Sequence, residues 1–239
     1  MQKIKENFLA QLVIIYTRYL LGGGFVFASL IKIKGLRFTT ESGENEGFGT
    51  AFHFFETMYQ TGIYWQFIGW GQLIAGFLLM TQRFAKLGAV VNFPIILNVF
   101  VITISMDFSY TPVITGMMLF ANVILLIWHL DELRILFNLS PKLAKADRLE
   151  NQTSWEITGL LLFLFTAGYR IFNDLYDPIF WFGICTLIGL GGLVIGLKKS
   201  KSLAYGKSIE NNHLGKVNFR FFLLVSKKPS ANIGGNRIF

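Results

Sequence analysis

The sequence predicts an all-α fold, a multi-pass transmembrane helical bundle of six spans, and three observations carry that prediction. Of the 239 residues, 53% are hydrophobic and only 15% are charged, whereas a soluble domain carries about a quarter charged residues. Six apolar stretches approach the ~20 residues needed to cross a ~30 Å hydrocarbon core. Lysine and arginine gather between those stretches, predominantly in alternate connections.

The first span is placed at Phe8 to Ile31, after the basic start at Lys3 and Lys5. Its length exceeds the ~7 to 15 apolar residues of a signal peptide core, so it reads as a retained span. Thr39 to Glu46 follows as a polar, acidic, exposed turn. In segment 47–61, Phe48, Phe52, Phe55 and Tyr59 recur at helical spacing, with Thr50, His53, Thr57 and Gln60 largely opposite. An outer amphipathic helix is expected there, lying in the membrane interface or flat over the mouth of the bundle.

Further spans are placed at Gly62 to Thr81, Ala85 to Ser105 and Pro112 to His129, closing a unit at 1–133. A basic loop, 134–155, leads to two more spans, Glu156 to Phe172 and Ile179 to Leu197, the first of these being the shortest of the six. Nothing resembles the ten-residue alternation of a membrane barrel, so helices must satisfy the backbone in lipid. The tail, 198–239, is rich in Lys, Ser, Asn and Gly around Phe219 to Val225. It reads as a poorly ordered basic segment near anionic headgroups, or as a docking segment that orders in a complex.

Placing both termini on the cytoplasmic side puts 17 of the 22 Lys and Arg residues there and four outside, with Arg18 inside the first span. That asymmetry fits a bacterial inner-membrane protein under the positive-inside rule. Merging two spans would put the basic loop or the basic tail outside, which supports six.

Soluble-enzyme chemistry is not encoded in any motif. The chain has one cysteine, Cys185, within an apolar run, so intramolecular disulfides and thiolate metal cages do not arise. No phosphate-binding loop, dinucleotide fingerprint or metalloprotease motif is present. His53, His129 and His213 are placed at depths too different to bracket a haem, and read as interfacial or solvated.

Arg18 is the informative residue. Ten residues past Phe8, it is expected ~15 Å deep, where a guanidinium is costly and must face the bundle interior. Gln72, Asn98, Asn122 and Thr166 are expected to approach its level at depths of ~11 to 20 Å. With Tyr19, the residues Arg18, Gln72, Asn98 and Asn122 form the expected intramembrane polar cluster. Lacking an internal carboxylate, it would either admit an anionic or carbonyl-bearing ligand or simply order the helices. Lys32 and Lys34 are expected to anchor the first span at the outer interface. Glu56, Asp107, Asp174 and Asp177 are expected to make exposed outer pairs, each contributing under ~1 kcal/mol.

These residues carry a resemblance. Arg18, Gly22, Lys32 and Gly35, followed by GWGQLIAGFLLMTQRFAKLGA with Gly71, Gly76 and the Arg83 turn, resemble the DoxX family of small bacterial membrane proteins over about 8 to 130. Gln72 stands where that family often has glutamate, and Ser29 where it usually has glycine. The resemblance implies a DoxX-like four-helix core, here with two additional spans. It also implies association with quinone-linked or thiol-linked oxidoreductases, although most members have no assigned activity.

The functional expectation is a non-catalytic accessory or anchoring subunit of a larger membrane assembly. Its partners would be membrane lipids and other membrane or membrane-associated subunits, not nucleic acid. No cofactor or metal is expected, a quinone or a lipid being the ligand such a cluster would admit. The alternatives are a quinone-reactive subunit of an oxidoreductase, using Arg18, Tyr19 and Gln72, and a small-anion carrier using Arg18 as counter-charge.

Overall fold

A computed structural model describes residues 2–39, 42–141, 148–175 and 177–200, and these contain helices and no strand. Six helices are long and apolar enough to cross a membrane. They are α1 (Phe8–Ile33), α3 (Ile63–Met80), α4 (Ala85–Ser105), α5 (Thr111–Trp128), α6 (Thr153–Phe172) and α7 (Pro178–Ser200), with the shorter α2 (Ala51–Gln60) between the first two. The fifth span begins three residues earlier than the sequence suggested. Thr153 to Trp155 continue the helix, which restores full span length at 20 residues.

Helix α1 is the spine of the bundle. Asn7 starts it, its side-chain oxygen accepting from the amides of Leu9 and Ala10, which satisfies two of the donors a helix start leaves open. Its most apolar stretch is 72% buried, against 17% for α7. It packs against α3 most extensively and against α6 next, while α4 packs on α3 and α5.

Two glycines set the α1–α3 distance. A Cβ on Gly22 would fall 2.8 Å from the Gly76 carbonyl oxygen, and one on Gly69 would fall 2.9 Å from the Ser29 oxygen. The close approach allowed by small residues at a membrane helix crossing is therefore used at both ends of this contact. It also fixes the register, with Gly22 level with Gly76 to Met80 and Ser29 to Ile33 level with Gly69.

That register corrects the expected depth of Arg18. Counting from Phe8 assumed that α1 enters the membrane at its first residue. In fact the helix runs more than two turns past the α3–α4 turn before packing against α3, so Arg18 stands near the end of α3 rather than halfway along it. Around the projecting turns, Gln11 accepts from the Leu149 amide and Lys5 pairs with Asp131 at 2.8 Å. The connections after α5 and before α6 thus fold against the first turns of α1.

The amphipathic helix α2 exists with the aromatic side turned inward, but an acid lies within that side. Ala51 and Glu56 are its buried residues, and Phe48, preceding the helix, is almost fully exposed. Phe52 and Phe55 instead pack on Phe108 of the α4–α5 turn. Residues 201–239, including His213, and Lys142 and Lys145 of the basic loop lie outside the described residues.

Candidate functional site

The principal polar centre lies where α1 passes the α3–α4 turn and the end of α5. Arg18, 1% exposed, donates to Gln82 Oε1 at 2.7 Å and to Glu150 Oε2 at 2.5 Å, and its Nη2 lies 2.7 Å from His129 Nε2. Gln82 adopts a positive φ of 57° in the α3–α4 turn, and Glu150 sits in a single 3-10 turn before α6. Three short connections therefore each bring one partner to a guanidinium held on a rigid helix.

Here the expectation of a charge without a carboxylate is overturned. Glu150 neutralises Arg18, and Arg148 bridges outward to Glu150 Oε1 at 3.2 Å and to Glu132 Oε1 at 2.8 Å. Glu132 also receives Lys86. The result is an ion-pair chain of alternating sign, Arg18, Glu150, Arg148, Glu132 and Lys86, running from the core toward the surface. Counting depth on apolar spans missed it because Glu132 and Glu150 lie just outside the spans. Their position beside span ends on Arg18's own side was the available sequence signal.

His129 is buried in this centre rather than solvated. A guanidinium only donates, so His129 Nε2 must accept from Arg18 and the ring proton must sit on Nδ1. Nδ1 lies 3.9 Å from Glu132 Oε2. Burial, reinforced by the Arg18 charge, pushes the imidazole pKa down to about 2. Burial alone would raise the Glu150 carboxyl, but the Arg18 and Arg148 guanidinium groups together outweigh it and hold that group below its ordinary value. Glu132 is lowered likewise, Lys86 and Arg148 overcoming its burial.

Of the other residues in the expected cluster, Tyr19 borders this centre, its phenol reaching Gln82, while Gln72, Asn98 and Asn122 do not join Arg18. Tyr19 donates to the Trp155 carbonyl and helps fasten α6 to α1. Gln72, buried, lies ten residues from Gln82, about 15 Å along α3 if the helix pitch is followed, and its side-chain oxygen finds no donor among the described residues. Asn122 bonds Asn92 and the Ala89 carbonyl, joining α5 to α4. Thr166 faces α7, accepting from Trp181 Nε1 at 3.0 Å. Asn98 is exposed on the outer surface of α4.

At the opposite end, Lys34 behaves as an interfacial cation, bonding Asp174 and the Ile171 carbonyl. Lys32 does not snorkel. It is 7% exposed and turns inward, donating to the Ala28 carbonyl, with its ammonium 4.4 Å from the Phe38 ring centroid and 5.3 Å from that of Trp65. Glu56 is likewise no surface acid. It is 4% exposed and held by both Arg37 Nε and Nη2 and by the Gly43 amide, and the Arg37 hydrogen bonds lower its pKa.

One apolar cavity of about 280 Å³ lies between α1, α6 and α7, lined by Tyr16, Tyr19, Met80, Leu162, Trp181 and Cys185 among others. The phenols beside it are already engaged, Tyr16 with the Gly189 carbonyl and Tyr19 with that of Trp155. The described residues contain no group of His, Cys, Asp and Glu able to hold a metal ion.

No family model matches the chain, and no solved structure matches it. It is similar to the uncharacterized protein YwoB of Bacillus subtilis (strain 168), with 34% identity over 85 residues. That stretch is 36% of this chain and 53% of the relative, so the match spans about half the relative's length.

Proposed function

We propose that this chain is a non-catalytic membrane subunit, and that the Arg18 centre holds its last two spans onto the first four. The observation that carries this reading is the pairing of Arg18 with Glu150 at 1% exposure. An arginine kept to attract a substrate anion would hold its charge open to a path, whereas this one is closed by the chain's own carboxylate. The anion-carrier alternative thereby loses its counter-charge. Lys and Arg asymmetry supports placing the Arg18 end toward the cytoplasm of a bacterial inner membrane. The resemblance to DoxX proteins supports a redox-linked assembly as the setting.

The experiment is affinity purification after cross-linking in intact membranes, with partner proteins quantified by mass spectrometry and quinones and lipids by organic extraction. A protein partner at fixed stoichiometry, lost on detergent challenge together with no small molecule, is the expected result. A second reading is favoured by the 280 Å³ apolar cavity, which opens beside Tyr19 and could admit the ring or tail of a quinone. Stoichiometric quinone that is displaced by Gly23→Leu, a residue lining that cavity, would establish it instead.

A further inference from the structure

Among the described residues, two exposed hydroxyl or amide side chains lie more than five residues from either end of a span, Asn98 of α4 and Thr186 of α7. Thr186 returns its hydroxyl to the Phe182 carbonyl four residues back, as helix threonines in lipid commonly do. Among the described residues, none hydrogen-bonds the Asn98 side chain. It stands seven residues before Ser105, roughly 10 Å along the helix from that end.

A lipid tail offers neither donor nor acceptor, and an amide on two side-chain torsions is too short to reach headgroups across two turns of helix. The surface around it is otherwise apolar and unobstructed. Leu87, Leu97, Val101 and Ile104 are exposed on the same side, and Pro94 is exposed one turn before Asn98. Pro94 also has no N–H to give the Val90 carbonyl, a second reason for this stretch to need a neighbour. The other exposed polar side chain at a comparable depth, Thr186, is satisfied within its own helix, so the unmet need is confined to the α4 face.

We propose that two copies of this chain associate about a two-fold axis through the outward face of α4, with the Asn98 amides paired. A carboxamide is self-complementary. On a two-fold axis each Nδ2 donates to the other's Oδ1, so one copy supplies the donor and acceptor that the other lacks. A closed dimer of this kind repeats the same patch on both sides, and amide pairs of this sort drive helix association in membranes. The inference rests on Asn98 alone and is independent of the subunit reading.

The test uses the full chain in lipid bilayers, in a Cys185→Ala background. Val101→Cys, 53% exposed one turn from the intact Asn98 amide, should form a disulfide-linked homodimer under mild copper-phenanthroline oxidation, while Met117→Cys, 69% exposed on α5, should not. Dimerisation measured by single-molecule photobleaching at a series of dilutions should weaken roughly tenfold for Asn98→Leu, from the energy of one membrane hydrogen-bond pair, and remain near wild type for Asn98→Gln. Leucine leaves the exposed surface apolar and the helix intact, so loss of dimer would not report misfolding. A wild-type chain that stays monomeric at all densities, an Asn98→Leu dimer as tight as wild type, or Met117→Cys cross-linking as readily as Val101→Cys would each overturn the proposal.

Discussion

Replacing Glu150 by glutamine removes the charge that answers Arg18 while leaving an oxygen of similar reach. Arg18 is 1% exposed and the Glu150 side chain 10% exposed, so this pair belongs to the buried class, for which stranding one partner costs about 3–5 kcal/mol. The reciprocal change is expected to cost less. In Arg18→Gln, Glu150 keeps Arg148 at 3.2 Å and the core loses a charge rather than retaining a bare one. The double variant, Arg18→Gln with Glu150→Gln, should recover much of the loss, because neither charge then remains to be compensated. The assay is reversible unfolding in mixed micelles for the four proteins of the cycle, with a coupling energy of at least about 1.5 kcal/mol expected from their contact. Strictly additive single effects, or a larger loss for Arg18→Gln than for Glu150→Gln, would refute the assignment of Glu150 as the balancing charge.

The same centre predicts acid sensitivity. Folded His129 stays neutral down to about pH 2, whereas unfolded histidine takes a proton near its ordinary 6.5, so stability should begin to fall as pH drops below 6.5. A second loss should follow below about 4.5 as Glu132 and Glu150, depressed in the folded state, are protonated. Equilibrium unfolding against pH checks this, and His129→Gln should flatten the first limb; stability that rises on acidification would contradict it. In α6, Gly159→Ala should destabilise by about 1–3 kcal/mol, because its Cβ would collide with the Met80 carbonyl and the Tyr19 ring. Gly168→Ala, with open space around it, is the control on the same helix, and equal losses in thermal stability would contradict the packing. For topology, single cysteines at Ser42 and Ser109 in a Cys185→Ala background should label with an impermeant maleimide in intact cells, while one at Arg83 should not; the reverse pattern would invert the orientation.

The spans were legible in the sequence because lipid imposes length and apolarity on every helix that crosses it. All six predicted spans match the observed helices within three residues at each end, and the fifth starts late only because Thr153, Ser154 and Trp155 look like loop residues while they already turn into helix. Arg18 was recognisable as the centre, but its partners were not. Hydropathy measures spans and ignores connections, and Gln82, His129 and Glu150 all sit in connections. Asn98 failed for a different reason. Depth along a helix can be counted from sequence, but a helix as uniformly apolar as α4 gives no indication of which side faces its neighbours. Glu56 misled in the opposite direction, because the aromatic stripe of α2 suggested a buried face that in fact surrounds a buried acid.

The central claim is that this chain serves as an assembled subunit and does not hold a substrate at Arg18. The most direct measurement is native mass spectrometry of the complex released from its own membranes, comparing wild type with the Arg18→Gln, Glu150→Gln double variant. The account predicts that both carry the same protein partners at the same stoichiometry and neither carries a small molecule that depends on Arg18. A stoichiometric anion or quinone present in the wild type and absent from the double variant, with the protein partners unchanged, would contradict it.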